Sequence, residues 1–218
     1  MSARQPAIAD TALVTAVDAV IEAGRRSAER GWVPATSGNF SIRVDAERIA
    51  VTRSGVDKGR LTPNDVLCQQ LSQPLVAGSS AEAELHRRLY ADDAEIGAVF
   101  HTHAVSATVL AQLHRGERLL TLSGWELQKA LAGIRSHETV VEVPVVANDQ
   151  DVVALANEVA ARLAAPVAAG AVRAPGYLIA GHGLYAWGAD VAQARWRVEA
   201  LEFMFECELR SQMLGEKT

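Results

Sequence analysis

Two histidines stand one residue apart in the apolar segment "AVFHTHAVSA", residues 98–107. In a β-strand, His101 and His103 project from the same face, because successive side chains alternate between the two faces. Two neighbouring imidazoles can share a metal ion, and catalytic zinc sites often use three protein ligands and keep one position open. A solvent-facing strand can carry such a pair by chance, but two unpartnered imidazoles are costly to bury in an apolar strand. The segment therefore predicts two metal ligands, and a third must lie elsewhere in the chain.

His182 is the candidate third ligand. It lies in "AGHGLYA" between Gly181 and Gly183, and two neighbours without side chains leave room for a ligand to approach. Together with His101 and His103 it predicts a metal site of three histidines. No comparable context surrounds the other three histidines, His86, His114 and His137.

Three segments rich in glycine and serine precede the histidine strand, namely "ATSGNFS", "TRSGVDKG" and "AGSSAEAELH". Small residues let backbone N–H groups approach a ligand, and a helix N-terminus favours an anion, so together they could cradle a phosphate. Each also has an ordinary explanation: SG and GN pairs are typical of turns, and Ser79-x-x-Glu82 fits a helix capping box. Their joint presence beside a metal site favours phosphate binding. The predicted phosphate-binding residues are Ser37, Gly38, Asn39, Ser54, Gly55, Lys58, Ser79 and Ser80.

Two glutamates are candidates for proton transfer. Glu82 lies at the start of a predicted helix beside the third of these segments, and Glu126 lies in "SGWELQKALAG", a predicted short helix that Gly133 closes. A carboxylate near a divalent metal can move a proton next to a carbonyl that the metal polarises. Each could instead be a solvated glutamate that the helix dipole favours. Residue chemistry alone leaves the choice between them open.

The elements that position these residues alternate along the chain. Apolar residues recur at helical spacing over residues 9–30, and "NFSIRV" and "RIAVT" indicate a hairpin. "IGAVFHTH" predicts a buried strand, and "YLIAGHGLYAWG" predicts two strands that meet at His182. We expect six or seven strands covered by helices in one domain, residues 1–218. Strands that follow each other without a helix between them favour a mixed or antiparallel sheet.

Composition narrows the classes of function. The 218 residues are 49% hydrophobic and 22% charged, which is typical of a globular protein with a sizeable core. A net charge of −5 argues against a general nucleic-acid binder, and no apolar run is long enough to span a membrane. The N-terminal segment lacks an apolar signal core, and the two cysteines form no CxxC pair. We therefore expect a cytoplasmic protein that binds neither nucleic acid nor membrane.

The order of these motifs resembles the class II aldolase/adducin superfamily from about Gly31 to Leu209. The resemblance rests on "GNFS", the SG pair near Lys58, "SSAEAELH", "HTH" and "GHGLYAWG". Within that superfamily the motifs are most similar to those of the dehydratases that act on 5-methylthioribulose 1-phosphate. The resemblance implies a three-layer α/β/α domain with a mainly antiparallel central sheet, assembled as a homotetramer with active sites between subunits.

The resemblance also implies roles for particular residues. It implies one Zn²⁺ per subunit, held by His101, His103 and His182. Aldolases of the superfamily carry a catalytic glutamate just after a pair of serines, and Glu82 matches that place apart from one inserted residue. The similar dehydratases carry an acid/base glutamate after the HTH helix, which Glu126 matches. We favour Glu126 for dehydration, with Glu82 either assisting near the metal or capping its helix.

The implied activity is zinc-dependent dehydration of 5-methylthioribulose 1-phosphate to 2,3-diketo-5-methylthiopentyl 1-phosphate in methionine salvage. One alternative is a zinc-dependent aldolase or epimerase that acts on another sugar phosphate. Another is a non-catalytic, adducin-like interaction domain. Such a domain could lose its metal ligands without penalty, so the presence of all three histidines counts against it.

Overall fold

The computed structural model describes residues 10–215. These residues contain one sheet of nine strands and five α-helices. The helices are α1 (Thr11–Glu29), α2 (Ala83–Asp92), α3 (Val105–Leu113), α4 (Val152–Ala164) and α5 (Val191–Met213). The strands are β1 (Asn39–Arg43), β2 (Arg48–Thr52), β3 (Val66–Gln70), β4 (Ala98–Thr102), β5 (Leu119–Leu122), β6 (Val141–Val146), β7 (Val172–Arg173), β8 (Gly176–Ile179) and β9 (Gly183–Gly188). Three 3-10 helices, Lys58–Arg60, Pro63–Asp65 and Glu126–Ala130, complete the regular elements of this range.

The sheet order is β3-β2-β1-β4-β9-β8-β6-β5, with β7 paired to β6. The pairs β6–β7 and β6–β8 are parallel and every other pair in the described range is antiparallel, which confirms the mainly antiparallel sheet. The predicted six or seven strands are too few. The missed strands are β5 and β7, which have only four and two residues and therefore show little alternation in sequence.

Two helix layers cover the sheet. Phe100 of β4 packs in one core with residues of α1, α3 and α5, while its neighbour Val99 packs in a second core with residues of α2 and α4. This alternation places the helices on opposite faces and confirms the α/β/α architecture. The predicted single domain of residues 1–218 is described over 10–215 only. Ala9, the first residue of the predicted N-terminal helix, lies outside the described residues.

Helix starts follow their caps. Asp10, Asp151 and Asp190 each accept a hydrogen bond from a backbone N–H in the first turn of the helix that follows. The predicted helix around Glu126 forms only as a 3-10 helix. Among the described residues, no helix combines the length and the apolar character needed to cross a bilayer.

Strand β4 is tied to helix α5 by a buried carboxyl group. Thr102 lies on the α5 side of the sheet, and its Oγ1 donates to Glu202 Oε1 at 2.6 Å. Glu202 is 3% exposed, and its Oε2 has no hydrogen-bond partner among the described residues. Burial raises the pKa of Glu202 to about 7, against which the hydrogen bond from Thr102 acts only in part.

The raised pKa of Glu202 makes the free energy of unfolding depend on pH. Between pH 4.5, the ordinary pKa, and about 7, the folded chain keeps a proton that the unfolded chain releases. The free energy of unfolding therefore falls as pH rises through that window, by about 3 kcal/mol at most. We expect Glu202→Gln to lose this slope, so that the variant gains stability relative to the native chain between pH 5 and pH 8. Denaturant unfolding of both proteins at pH 5 and at pH 8 measures their free energies of unfolding. The prediction is wrong if the difference between the two proteins is the same at both pH values.

Candidate metal centre and substrate cleft

Three imidazoles converge at the carboxyl end of β4. His101 is in that strand, His103 follows it by one residue, and His182 lies in the turn between β8 and β9. One ligand atom from each histidine lies within 4.8 Å of the others. The ring centroids are 4.6 Å apart for the 101–103 and 103–182 pairs and 4.9 Å for the 101–182 pair. The structure thus brings the three predicted ligands together.

Backbone contacts fix the positions of His103 and His182. The backbone N–H of His103 donates to the Trp32 carbonyl at 2.7 Å. A Cβ on Gly183 would stand 1.9 Å from the carbonyl oxygen of Thr102, so β9 can lie this close to β4 only with glycine there. The sequence interpretation of this glycine, room for a ligand, is wrong. The backbone of Thr102 takes that room, and the glycine instead sets how closely His182 approaches the HTH segment.

The protonation of His101 suits metal binding. Its Nδ1 lies 2.9 Å from the Leu184 carbonyl oxygen, which can only accept, so Nδ1 carries the proton and Nε2 presents a lone pair. That Nε2 faces His182 Nε2 at 3.2 Å. Burial lowers the pKa of His101 well below its ordinary value and that of His103 to about 4, which favours neutral rings. Three imidazole nitrogens that face one another form a donor set that fits a divalent ion such as zinc.

Glu82 joins the histidines. Its Oε1 lies 3.0 Å from His182 Nε2, its Oε2 lies 3.9 Å from His101 Nε2, and Asn39 Nδ2 donates to Oε2 at 2.6 Å. Burial raises the pKa of Glu82, but the contact with His182 and the proximity of the His101 ring outweigh burial and lower that pKa to about 2. The capping-box interpretation is wrong, because Glu82 is itself the residue before α2 and its side chain makes no capping bond.

A cleft of about 240 Å³ connects these groups with the glycine and serine loops. Its lining residues are Thr36, Ser37, Gly38, Asn39, Arg53, Ser54, Gly55, Lys58, Ser80, Glu82 and His103. Seven of the eight predicted phosphate-binding residues therefore line one cleft with a metal-ligand candidate and a carboxylate. Ser79 is the exception. It forms a β-bridge with Arg53, and its buried Oγ has no partner among the described residues.

Lys58 and Ser37 of the cleft differ in whether their polar atoms have hydrogen-bond partners within the protein. Lys58 is almost fully buried, and its Nζ donates to the carbonyl oxygens of Thr36 and Val56 at 2.8 Å. Burial lowers the pKa of Lys58. The buried Ser37 Oγ lacks a hydrogen-bond partner among the described residues. Sequence reasoning missed Arg53, although its position directly before Ser54 in "TRSG" was a usable signal.

Glu126 lies apart from this cleft. It begins a 3-10 helix, and its side chain is 74% exposed. Its Oε1 accepts from Lys129 Nζ at 2.5 Å, and its Oε2 lies 4.0 Å from His137 Nδ1. Of the two candidate glutamates, only Glu82 is brought to the histidines within one chain.

Comparison with known proteins agrees with this geometry. The chain is 93% identical over 205 residues to a methylthioribulose-1-phosphate dehydratase of Bradyrhizobium sp. (strain BTAi1), which covers 94% of this chain and 95% of that protein. It is 52% identical to the dehydratase of the same description from Pseudomonas aeruginosa PAO1, over 88% and 92% of the two chains.

Among solved structures, L-fuculose-1-phosphate aldolase from Thermus thermophilus superposes with a TM-score of 0.73 at 28% identity. That match covers 94% of this chain and 98% of the aldolase. The family model described as "Class II Aldolase and Adducin N-terminal domain" matches residues 18–209. That range holds all three histidines and every loop of the cleft, and the chain belongs to the class II aldolase and adducin family.

Proposed function

We propose that the chain catalyses the zinc-dependent dehydration of 5-methylthioribulose 1-phosphate to 2,3-diketo-5-methylthiopentyl 1-phosphate, a step of methionine salvage in the cytoplasm. The observation that carries the proposal is the cleft itself, which joins phosphate-type loops to Glu82 and His103. The substrate follows from the names of the relatives that are 93% and 52% identical.

The loops bind and orient the phosphate in this proposal. Gly38 and Gly55 line the cleft, and neither carries a side chain that would keep a phosphate away from the backbone. Ser37 and Ser80 add hydroxyl groups, and Arg53 adds a guanidinium suited to two phosphate oxygens. Holding the phosphate at this end places C2 and C3 of the sugar towards the histidines, so that binding energy is used to position the reacting atoms.

His101, His103 and His182 would hold one Zn²⁺ per subunit. When bound, the ion supplies Lewis-acid polarisation of the C2 ketone, which acidifies the proton on C3. A glutamate removes that proton, and the electron pair expels the C4 hydroxyl, which leaves as water with a proton returned by the same carboxyl group. The enol product then tautomerises to the 2,3-diketone. Glu82 assists by accepting a hydrogen bond from a substrate hydroxyl.

We assign the proton transfer to Glu126, supplied by a neighbouring subunit of a homotetramer. Exposed apolar side chains support a subunit interface, and some of them follow the metal ligands closely in sequence. Val105, two residues after His103, is 74% exposed, and Val109 on the next turn of α3 is 37% exposed. Trp196 and Phe203 of α5 are also more than half exposed, and such apolar surface is typical of subunit contacts. Glu126 is exposed and can therefore approach a second copy of the chain.

A product assay tests the proposal. Purified protein is incubated with 5-methylthioribulose 1-phosphate, and the diketone is followed with and without a chelator and after zinc is restored. We expect turnover that the chelator abolishes and zinc recovers. Turnover that persists after the metal has been removed, or none with metal at full occupancy, would contradict the proposal.

A class II aldolase is the second candidate, because Glu82 lies beside the histidines where aldolases of the superfamily carry their catalytic glutamate. The same assay distinguishes the two. Aldol cleavage between C3 and C4 would release dihydroxyacetone phosphate and an aldehyde, whereas dehydration keeps the carbon chain intact.

Arg53 provides a test of the phosphate end of the cleft. Replacement with glutamine removes a charged donor from the lining, and we expect KM to rise about tenfold or more while kcat changes little. Arg60 serves as the control, because its side chain is 88% exposed and it is absent from the lining. Steady-state kinetics on both variants would show it, and equal KM values for the Arg53 variant and the native chain would exclude Arg53 from phosphate binding.

A further inference from the structure

A buried polar chain runs from Glu82 away from the cleft. Asn39 Nδ2 donates to Glu82 Oε2 at 2.6 Å, and Asn39 Oδ1 contacts His86 Nε2. His86 Nδ1 lies 2.6 Å from Ser41 Oγ. Asn39 and His86 are 3% and 0% exposed, so the contact between these two side chains is shielded from solvent. We call Asn39, His86 and Ser41 the relay.

Chemistry fixes the direction of each hydrogen bond in the relay. A carboxylate only accepts, so the amide of Asn39 must turn Nδ2 to Glu82 and Oδ1 to His86. The carbonyl Oδ1 only accepts, so His86 must carry its proton on Nε2. His86 Nδ1 is then an acceptor, and the Ser41 hydroxyl donates to it at 2.6 Å in preference to the Tyr90 oxygen at 3.0 Å. One arrangement of protons satisfies all three bonds.

Position explains why the relay matters for the metal centre. Asn39 begins β1, and its partner across the sheet is His101 of β4. Glu82 and His86 stand four residues apart at the start of α2, so both face β1 on one side of the helix. The amide of Asn39 therefore links the sheet to α2 beside the contact between the Glu82 carboxylate and the histidines.

Burial shows that His86 is more than a space-filling residue. Burial lowers its pKa to about 3, so the ring is neutral at ordinary pH, as the relay requires. A buried polar ring is costly unless its hydrogen bonds are made, and an apolar side chain of similar size would fill the same space without that cost. The hydrogen bond to Asn39 explains why a polar ring occupies this buried position.

We propose that His86 is a positioning residue that holds the amide of Asn39 in one orientation and thereby sets the carboxylate of Glu82 beside the metal ligands. The inference rests on the proposed function for its kinetic test. His86 thus contributes to the site by positioning other groups, because it does not line the cleft and would not contact substrate.

The kinetic test compares three variants of the zinc-loaded protein. His86→Leu leaves Asn39 Oδ1 without a donor, so the amide can turn, and we expect kcat to fall about tenfold or more with little change in KM. His86→Gln can still donate to Asn39, and we expect it to recover most of that loss. The matched control is His114→Leu, the same replacement at a histidine that pairs with Glu117 and has no described contact with the relay. The control should keep its kcat.

Two kinetic outcomes would overturn the proposal: a kcat of His86→Leu within twofold of the native value, or equal losses in His86→Leu and His86→Gln. Nitrogen NMR of the native protein, labelled in histidine, gives a readout that needs neither turnover nor a folded variant. We expect His86 to stay neutral between pH 6 and pH 9 with its proton on Nε2. A proton on Nδ1, or a charged ring, overturns the relay. Absence of turnover by the native protein would instead defeat the proposed function and leave the NMR result standing.

Discussion

Replacing His101 with alanine is expected to remove the metal and to lower kcat about a thousandfold or more. His101 is fully buried, its Nδ1 is engaged by the Leu184 carbonyl, and its Nε2 lies at the centre of the three-histidine cluster. Two remaining imidazoles bind a divalent ion weakly, because affinity depends on ligand number. Loss of the ion removes several kcal/mol of transition-state stabilisation, and about 4 kcal/mol corresponds to a thousandfold in rate.

Elemental analysis of the purified variant and its rate of dehydration measure this effect together. His114→Ala is a suitable control, because its ring pairs with Glu117 in the loop after α3 and contacts none of the three candidate ligands in the described contacts. We expect one zinc per subunit and a native rate in the control. A His101→Ala protein that kept both its metal and its rate would show that the cluster is structural.

Replacing Glu126 with glutamine is expected to lower kcat by about two to four orders of magnitude with KM nearly unchanged, the effect of losing a general acid/base. Glutamine keeps the shape of the side chain and cannot take up a proton. The side chain is 74% exposed, so the substitution should leave the fold intact. Rates and substrate affinity of the variant measure this prediction. Near-normal dehydration by Glu126→Gln would return the proton transfer to Glu82.

A mixing experiment shows which subunit supplies Glu126. Glu126→Gln and His101→Ala proteins are unfolded together, refolded as mixed oligomers and assayed. A site with histidines from the first protein and Glu126 from the second is complete, so activity should reappear although each parent is inactive. Mixed oligomers that stay inactive would contradict the assignment to a neighbouring subunit.

The sequence predicted the cluster of three histidines because each of its two parts carries a local signal. His101 and His103 share a strand segment, and the glycines around His182 mark a tight turn between two strands. The three-layer fold was equally accessible, since helical and strand periodicities alternate along the chain. The sequence places Asn39 among the phosphate-binding residues, but it gives no sign that both ends of the Asn39 amide are engaged by Glu82 and His86. That pairing depends on how α2 docks against β1, which no local spacing encodes.

The close approach of β9 to β4 changes how relatives of this chain should be recognised. A search pattern made of an HxH pair and a distant third histidine allows any residue directly after that third histidine. Here a side chain at position 183 would collide with the backbone of Thr102 and drive the two strands apart, separating the ligands they carry. A sequence that keeps all three histidines but has lost the glycine would retain the ligands without the spacing that lets them share an ion. The useful diagnostic is therefore a histidine–glycine dipeptide, and genome surveys that apply it should separate metal-competent members from those that keep only the fold.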